Sequence, residues 1–133
     1  MALSFTVSDI IPASKEAIYN AWLDSGQHAK MTGTKAADAS TKVGGAFMAH
    51  DGYITGKNEE LAPWSKIVQS WRTTEFSDDD EDSIIEVTFE DENGCTLVTL
   101  THSNLPPDGG HYESGWKTHY FKPMKEYFGG SVV

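Results

Sequence analysis

The chain has 133 residues, of which 38% are hydrophobic and 11% aromatic, enough to fill one core and too many for a disordered chain. Its 20 acidic and 10 basic side chains give a net charge of -10, which argues against nucleic acids and anionic lipid surfaces as partners. Cys95 is the only cysteine, and no apolar run approaches the ~20 residues of a membrane span. We therefore expect one domain, residues 1–133, in the cytoplasm and without membrane insertion.

The first part of the chain predicts a strand and two short helices. Residues 3–10 alternate apolar and polar side chains, as a half-buried strand does. Ser14 suits the N-cap of the helix that follows. The apolar residues of this helix share one face: Ala17, Ile18, Ala21 and Trp22. Gly26 is expected to break the helix, which leaves residues 27–31 for a short second one.

Four short strands are expected across the middle of the chain, at residues 36–41, 46–49, 53–61 and 67–74. Gly44-Gly45 marks a turn or bulge between the first two strands. Pro63 lies between the last two, where regular pairing must lapse because proline has no N–H to donate. The acidic run at residues 78–82 is typical of a solvated turn.

The clearest local pattern is a hairpin over residues 83–101. Apolar and polar residues alternate from Ile85 to Glu90, and Asn93-Gly94 follows, a dipeptide favoured in type I′ turns. One face of the hairpin is therefore apolar, and it consists of Ile85, Val87, Phe89, Val98 and Leu100. His102 continues this alternation onto the same inner face. It either orients a ligand at a cavity rim or is held by a hydrogen bond to nearby backbone or to the Pro106-Pro107 loop.

A long helix is predicted over residues 111–128, ending at Gly129-Gly130. A step of 100° per residue places its large apolar side chains in one half of the helical wheel: Trp116, Tyr120, Phe121, Met124, Tyr127 and Phe128. Only the apolar face of the sheet can cover this stripe. Pro123 is expected to bend the helix. Glu113 and Lys117 fall in the same half, either as polar groups at a pocket mouth or as a surface ion pair.

Together these elements predict an α+β fold, in which a curved antiparallel sheet of about six or seven strands wraps around the C-terminal helix. Motifs that carry chemistry are scarce. The five histidines lack zinc-site spacing, residues 78–82 lack the pattern of a calcium loop, and Gly44-Gly45 precedes a strand rather than a helix N-terminus. We expect no catalytic residue, no metal and no cofactor.

Several segments together resemble a known family: KIVQSWR (66–72), VTFEDENG (87–94), TH (101–102), GWKTHYF (115–121) and FG (128–129), after PAS (12–14), AW (21–22), VGGAF (43–47) and DGYITG (51–56). In this order they are similar to the C-terminal domain of the activator of the heat-shock-protein-90 (Hsp90) ATPase and its stand-alone bacterial relatives. The resemblance covers nearly the whole chain.

The resemblance implies the helix-grip fold of the START-like, Bet v 1-like superfamily (SRPBCC), whose members often hold lipids, hormones or polyketides between sheet and long helix. The eukaryotic activators carry an additional N-terminal domain and a linker, which we do not expect in this chain. Without them, half of the bipartite surface for the chaperone would be missing.

Three functions fit this resemblance. The first is a non-enzymatic domain that binds a small apolar or amphipathic molecule in a cavity between sheet and helix. Its expected lining is Tyr53, Trp71, Ile85, Val87, Phe89, Val98, Leu100, His102, Trp116, Lys117, Tyr120 and Met124. The second is a co-chaperone in the stress response that stimulates the ATPase of an Hsp90-type chaperone through its surface. The third, an enzyme of the cyclase or aromatase kind, lacks a visible acid–base pair. A cavity below the roughly 300 Å³ typical of ligand sites favours the second function.

Overall fold

One antiparallel sheet and a C-terminal helix dominate the computed structural model, which describes residues 3–32, 37–107 and 109–129. The strands of the described ranges are β1 (Leu3–Ile11), β2 (Ala46–Ala49), β3 (Ile54–Ala62), β4 (Lys66–Thr73), β5 (Ser83–Glu92) and β6 (Cys95–Leu105). Their order across the sheet is β1-β6-β5-β4-β3-β2, and every neighbouring pair is antiparallel. The predicted α+β fold is confirmed.

Two short helices, α1 (Lys15–Trp22) and α2 (Ser25–Thr32), follow the first strand as predicted. Ser14 caps α1, because its Oγ accepts a hydrogen bond from the Ala17 amide at 3.1 Å. Gly26 does not break the chain between the helices, since it lies inside α2. The break falls just before α2, where the Asp24 carboxylate accepts from the Gln27 amide at 2.8 Å and so caps the second helix.

The segment before β2 corrects one prediction. Residues 37–41 were expected to belong to a strand, but they contribute only an isolated bridge between Asp38 and Met48; residue 36 lies outside the described part. The reason is Asn58, a buried residue of β3 whose side-chain amide donates to the carbonyls of Ser40 and Lys42 at 2.8 and 3.0 Å. These carbonyls bond to a side chain rather than to a neighbouring strand.

The β5–β6 hairpin forms as predicted. Asn93 and Gly94 have φ of 51° and 84°, the left-handed pair that a type I′ turn requires, and Glu92 pairs with Cys95 across it. The inner-face prediction also holds, since Val87, Val98 and Leu100 are fully buried. The core lies between this face and the C-terminal helix.

The C-terminal helix consists of α3 (Tyr112–Trp116), a π-helical turn (Lys117–Phe121) and α4 (Lys122–Gly129); the predicted end at residue 130 lies outside the described ranges. In the π turn the Lys122 amide bonds to the Lys117 carbonyl, five residues back. Pro123 follows directly, and it cannot donate a hydrogen bond to the His119 carbonyl. A π-helical turn thus precedes the proline, and the bend at Pro123 stays a prediction.

The buried stripe of this helix ends before Tyr127 and Phe128. Its buried residues are Tyr112, Trp116, Tyr120, Phe121 and Met124. Tyr127 is 36% exposed, and Phe128 is only partly buried. Glu113 and Lys117 are both exposed, as a pocket mouth and a surface ion pair would each require, and within the described residues no ion pair joins them.

A glycine in β3 leads to a stability prediction. Gly56 lies opposite Phe47 of β2, and a Cβ at this position would collide with the Ser70 carbonyl oxygen of β4 and with the Phe47 ring. Gly56→Ala should therefore lower the free energy of unfolding by about 1–3 kcal/mol, measured by urea denaturation. Gly115→Ala is the matched control: a Cβ there meets nothing closer than 4.0 Å, so equal losses in both variants would contradict the steric account.

Candidate functional site

A small pocket opens between the sheet and the start of the C-terminal helix, in the region where the cavity was predicted. Its volume is about 60 Å³. It is lined by His50, Tyr53, Ile54, Trp71, Tyr112, Gly115, Trp116, His119 and Tyr120. Sites for drug-sized ligands usually measure at least about 300 Å³, so this pocket has room for a few waters or one apolar side chain.

Four residues predicted to line a cavity meet at this pocket: Tyr53, Trp71, Trp116 and Tyr120. Seven others are buried in the packed core and do not line it: Ile85, Val87, Phe89, Val98, Leu100, His102 and Met124. Lys117 lies exposed on the helix surface. Large aromatic side chains occupy the space that a larger cavity would need, as the Trp71 and Trp116 rings show at 5.5 Å between centroids.

The sequence interpretation missed five lining residues: His50, Ile54, Tyr112, Gly115 and His119. Tyr112 could have been predicted from the sequence, because it lies four residues before Trp116 and shares its helix face. No spacing pattern in the sequence indicates that His50 lines the pocket. It has φ of 50° in a 3-10 turn, His50–Gly52, and its ring lies 5.1 Å from that of Tyr120.

His102 is a core residue rather than a ligand contact. It is fully buried, accepts a hydrogen bond from the Trp116 indole N–H at Nδ1 (3.0 Å), and donates from Nε2 to the Ser83 hydroxyl (2.8 Å). Ser83 in turn donates to the Trp71 carbonyl at 2.7 Å. Burial lowers the pKa of His102 to about 3, so the ring is neutral at pH 7. Its partners are the Trp116 and Ser83 side chains, and not the nearby backbone or the Pro106-Pro107 loop that was predicted.

A second buried histidine, His28 on α2, packs against Tyr120 of the pocket wall. Its Nδ1–H donates to the Trp22 carbonyl at 2.8 Å, and its Nε2 accepts from the Tyr120 hydroxyl at 2.7 Å. Burial is the main cause that lowers the pKa of His28 to about 4, with His50 as a smaller one, and burial also raises the pKa of Tyr120. The bond joins α2 to the C-terminal helix across 92 positions of sequence.

The polar atoms of the pocket wall bond mostly within the protein. The Tyr112 hydroxyl pairs with Thr73 Oγ1 at 2.6 Å, and the Tyr53 hydroxyl donates to the Glu75 carboxylate. The Trp71 indole N–H, although buried, has no hydrogen-bond partner within the described ranges. Such a wall offers a ligand mainly apolar contact.

A larger groove, of about 340 Å³, adjoins the pocket. It shares Tyr53, Tyr112, Gly115 and His119 with the pocket and adds the exposed residues His111, Ser114 and Thr118.

Among the described residues, no group of three or more metal-ligating side chains comes together. The helices of that same part are also too short and too polar to cross a membrane.

Comparison with known proteins identifies a family. Residues 12–129 match the family model "Activator of Hsp90 ATPase homolog 1-like protein". Among curated proteins, the chain is 32% identical over 87 residues to the "Activator of 90 kDa heat shock protein ATPase homolog 1" of Homo sapiens, covering 65% of this chain and 25% of that protein. It is 37% identical over 87 residues to the homologous activator of Dictyostelium discoideum, covering 64% and 22%. The chain thus spans about a quarter of these relatives.

Solved structures agree with this comparison. An HSP90 activator from Plasmodium falciparum superposes with a TM-score of 0.85 at 26% identity, covering 96% of both chains. The Aha1 dimer from Colwellia psychrerythraea, at 19% identity, shares the fold with a TM-score of 0.80, covering 97% of this chain and 98% of that one. Because the family model spans most of the chain, the protein belongs to the family of activator of Hsp90 ATPase homolog 1-like proteins.

Proposed function

We propose that this domain binds an Hsp90-type chaperone through its surface and raises the rate of the chaperone's ATPase. The observation that carries the proposal is the volume of the pocket, about 60 Å³ where an enclosed apolar ligand needs several times more. Of the functions open to this family, the one that requires no internal ligand fits this core best.

The hydrogen bonds around the pocket support the same function. The hydroxyls of Tyr53, Tyr112 and Tyr120 all have partners inside the protein. An entering ligand could bond to these hydroxyls only by breaking their present bonds, and an unpaired buried polar group costs about 1–3 kcal/mol. These three hydroxyls therefore give a ligand little gain in free energy, whereas the buried Trp71 indole N–H is a polar group that a ligand could satisfy.

The relatives support the choice of partner. The aligned proteins of Homo sapiens and Dictyostelium discoideum are named as activators of the 90 kDa heat-shock-protein ATPase, and a solved structure of similar length is named as an HSP90 activator. An Hsp90-type chaperone in the same compartment, which the lone Cys95 suggests is the cytoplasm, is the partner we propose.

The test is the ATP turnover of a purified Hsp90-type chaperone titrated with this protein. We expect turnover to rise and then to saturate as the complex fills. An Hsp90-specific ATPase inhibitor gives the background to be subtracted, and an unrelated protein of similar charge is the control. An unchanged rate at saturating concentration, with binding shown independently, would contradict the proposal.

A second candidate function rests on the groove beside the pocket. Pocket and groove share four residues, so a small amphipathic molecule with one apolar end could place that end in the pocket and the remainder in the groove. Amide NMR spectra recorded with a lipid and metabolite panel test this function. It predicts shifts at Tyr112, Gly115 and His119 with at least one compound.

A further inference from the structure

An exposed tryptophan is held at the tip of the β3–β4 hairpin. The turn is Ala62-Pro63-Trp64-Ser65, closed by a hydrogen bond from the Ser65 amide to the Ala62 carbonyl at 2.9 Å. Trp64 has φ of 61° and is 46% exposed. A proline followed by a residue at positive φ is the pattern of a type II turn, in which the third position is usually glycine or asparagine.

Stability does not explain a tryptophan at this place. A bulky residue in the left-handed region costs on the order of 1 kcal/mol or more, and a half-exposed indole recovers only part of its burial energy. Other large hydrophobic residues with substantial exposure in the described chain are Ile10, Val43 and Tyr127. None of these three has a positive φ, so among the exposed large hydrophobic residues of the described chain Trp64 alone has one.

The turn is anchored firmly to the sheet. The Phe89 amide of β5 donates to the Ser65 carbonyl at 3.0 Å, and Lys66 forms an ion pair with Glu60 at 2.8 Å. The strands pair right up to the turn, with Ala62 opposite Lys66. Trp64 is therefore presented on a rigid support, which reduces the entropy lost when it binds.

Acidic residues lie on the outer face of the sheet beside this turn. Glu60 is opposite Val68, and Val68 is opposite Glu86, so both carboxylates share one face. Glu90, four residues further along β5, is on the same face because side chains alternate. All three glutamates are exposed, and Lys66 is the basic residue among them. The face carries net negative charge, in keeping with the chain's -10.

We propose that Trp64, with Glu60, Glu86 and Glu90, forms a docking surface for a basic patch of the chaperone that contains an apolar pocket for the indole. This inference rests on the proposed function and specifies its contact. Tryptophan is among the residues that most often dominate interface energies, and the carboxylates steer and orient a positively charged partner.

The decisive variant is Trp64→Gly, with Trp64→Asn as a second replacement that also tolerates positive φ. We expect the affinity for the chaperone to fall by at least about tenfold, since truncating an interface tryptophan commonly costs that much. Thermal stability should stay equal or rise, because the strain is removed. Val43→Ala, which alters another exposed apolar residue, is the control and should bind like the wild type.

Reversing a charge on the acidic face tests the docking surface independently of Trp64. Glu90→Lys should weaken binding and reduce its dependence on salt between 50 and 500 mM, measured by the association rate. Trp64→Gly and Trp64→Asn binding as tightly as the wild type would overturn the docking surface while leaving the proposed function intact. A wild-type protein that fails to bind the chaperone would overturn the proposed function itself.

Discussion

Replacing Trp22 by alanine is expected to lower the free energy of unfolding by about 3–5 kcal/mol, a large part of the stability of a domain of this size. Trp22 is 2% exposed at the end of α1. Its ring packs against those of Trp116 and Tyr120, with centroids 6.4 and 5.2 Å away. The substitution leaves a cavity at the centre of the contact between the short helices and the C-terminal helix.

A hydrogen bond adds to this loss. The Trp22 indole N–H donates to the Gln69 side-chain oxygen at 3.2 Å, and Gln69 donates to the Asn58 side chain at 2.9 Å. Urea denaturation measures the change, with Val43→Ala as a surface control expected to stay within about 0.5 kcal/mol. A loss below about 1 kcal/mol at Trp22 would show that this aromatic contact does not hold the fold together.

Acid should destabilise the protein as the pH falls below about 6.5, because two buried histidines resist protonation in the fold. His28 and His102 titrate near 6.5 when unfolded, but burial lowers their pKa to about 4 and about 3 in the fold. Below pH 6.5 the unfolded chain therefore takes up protons that the folded chain refuses. Stability is full above pH 6.5 and falls as the pH drops from 6.5 towards 4, by about 2 kcal/mol per histidine between pH 7 and 5.

Burial explains why the folded state refuses these protons, and at His102 the hydrogen-bond geometry acts in the same direction. A proton on His102 Nδ1 would face the Trp116 indole N–H, which already points at that atom. Urea denaturation at pH 7 and pH 5 measures the effect in the wild type and in His28→Gln/His102→Gln, in which the slope should largely vanish. His119→Gln, at an exposed position, is the control and should keep the slope. An equal slope in the double variant would refute the assignment.

Sequence patterns of turns, caps and alternation predicted the parts of the fold that depend on neighbouring residues. The Asn93-Gly94 turn, the Ser14 cap and the alternation in β5 each depend on residues a few positions apart. The loop before β2 does not, because its conformation depends on Asn58, 16 and 18 positions away from the carbonyls that it binds. A periodicity argument cannot include such a contact.

The site was predicted in part for the same reason. The aromatic stripe from Trp116 to Tyr120 follows from helical spacing, and it lies at the pocket. The pairing of His28 with Tyr120 and the left-handed conformation of His50 depend on tertiary contacts. The pocket volume depends on how closely the aromatic rings pack, a property that side-chain identity alone does not determine.

The central claim is that the domain binds a chaperone through its surface and holds no small molecule in an internal cavity. The tryptophan indole signals of a ¹⁵N NMR spectrum test this claim. The chain has four tryptophans: Trp22, Trp71 and Trp116 are buried, and Trp64 is exposed. With substoichiometric chaperone, the Trp64 signal, assigned from its loss in Trp64→Gly, should lose intensity first. Two results together would contradict the claim. The Trp64 signal would stay unchanged when the chaperone is added, and the Trp71 and Trp116 signals would shift when a small apolar compound is added.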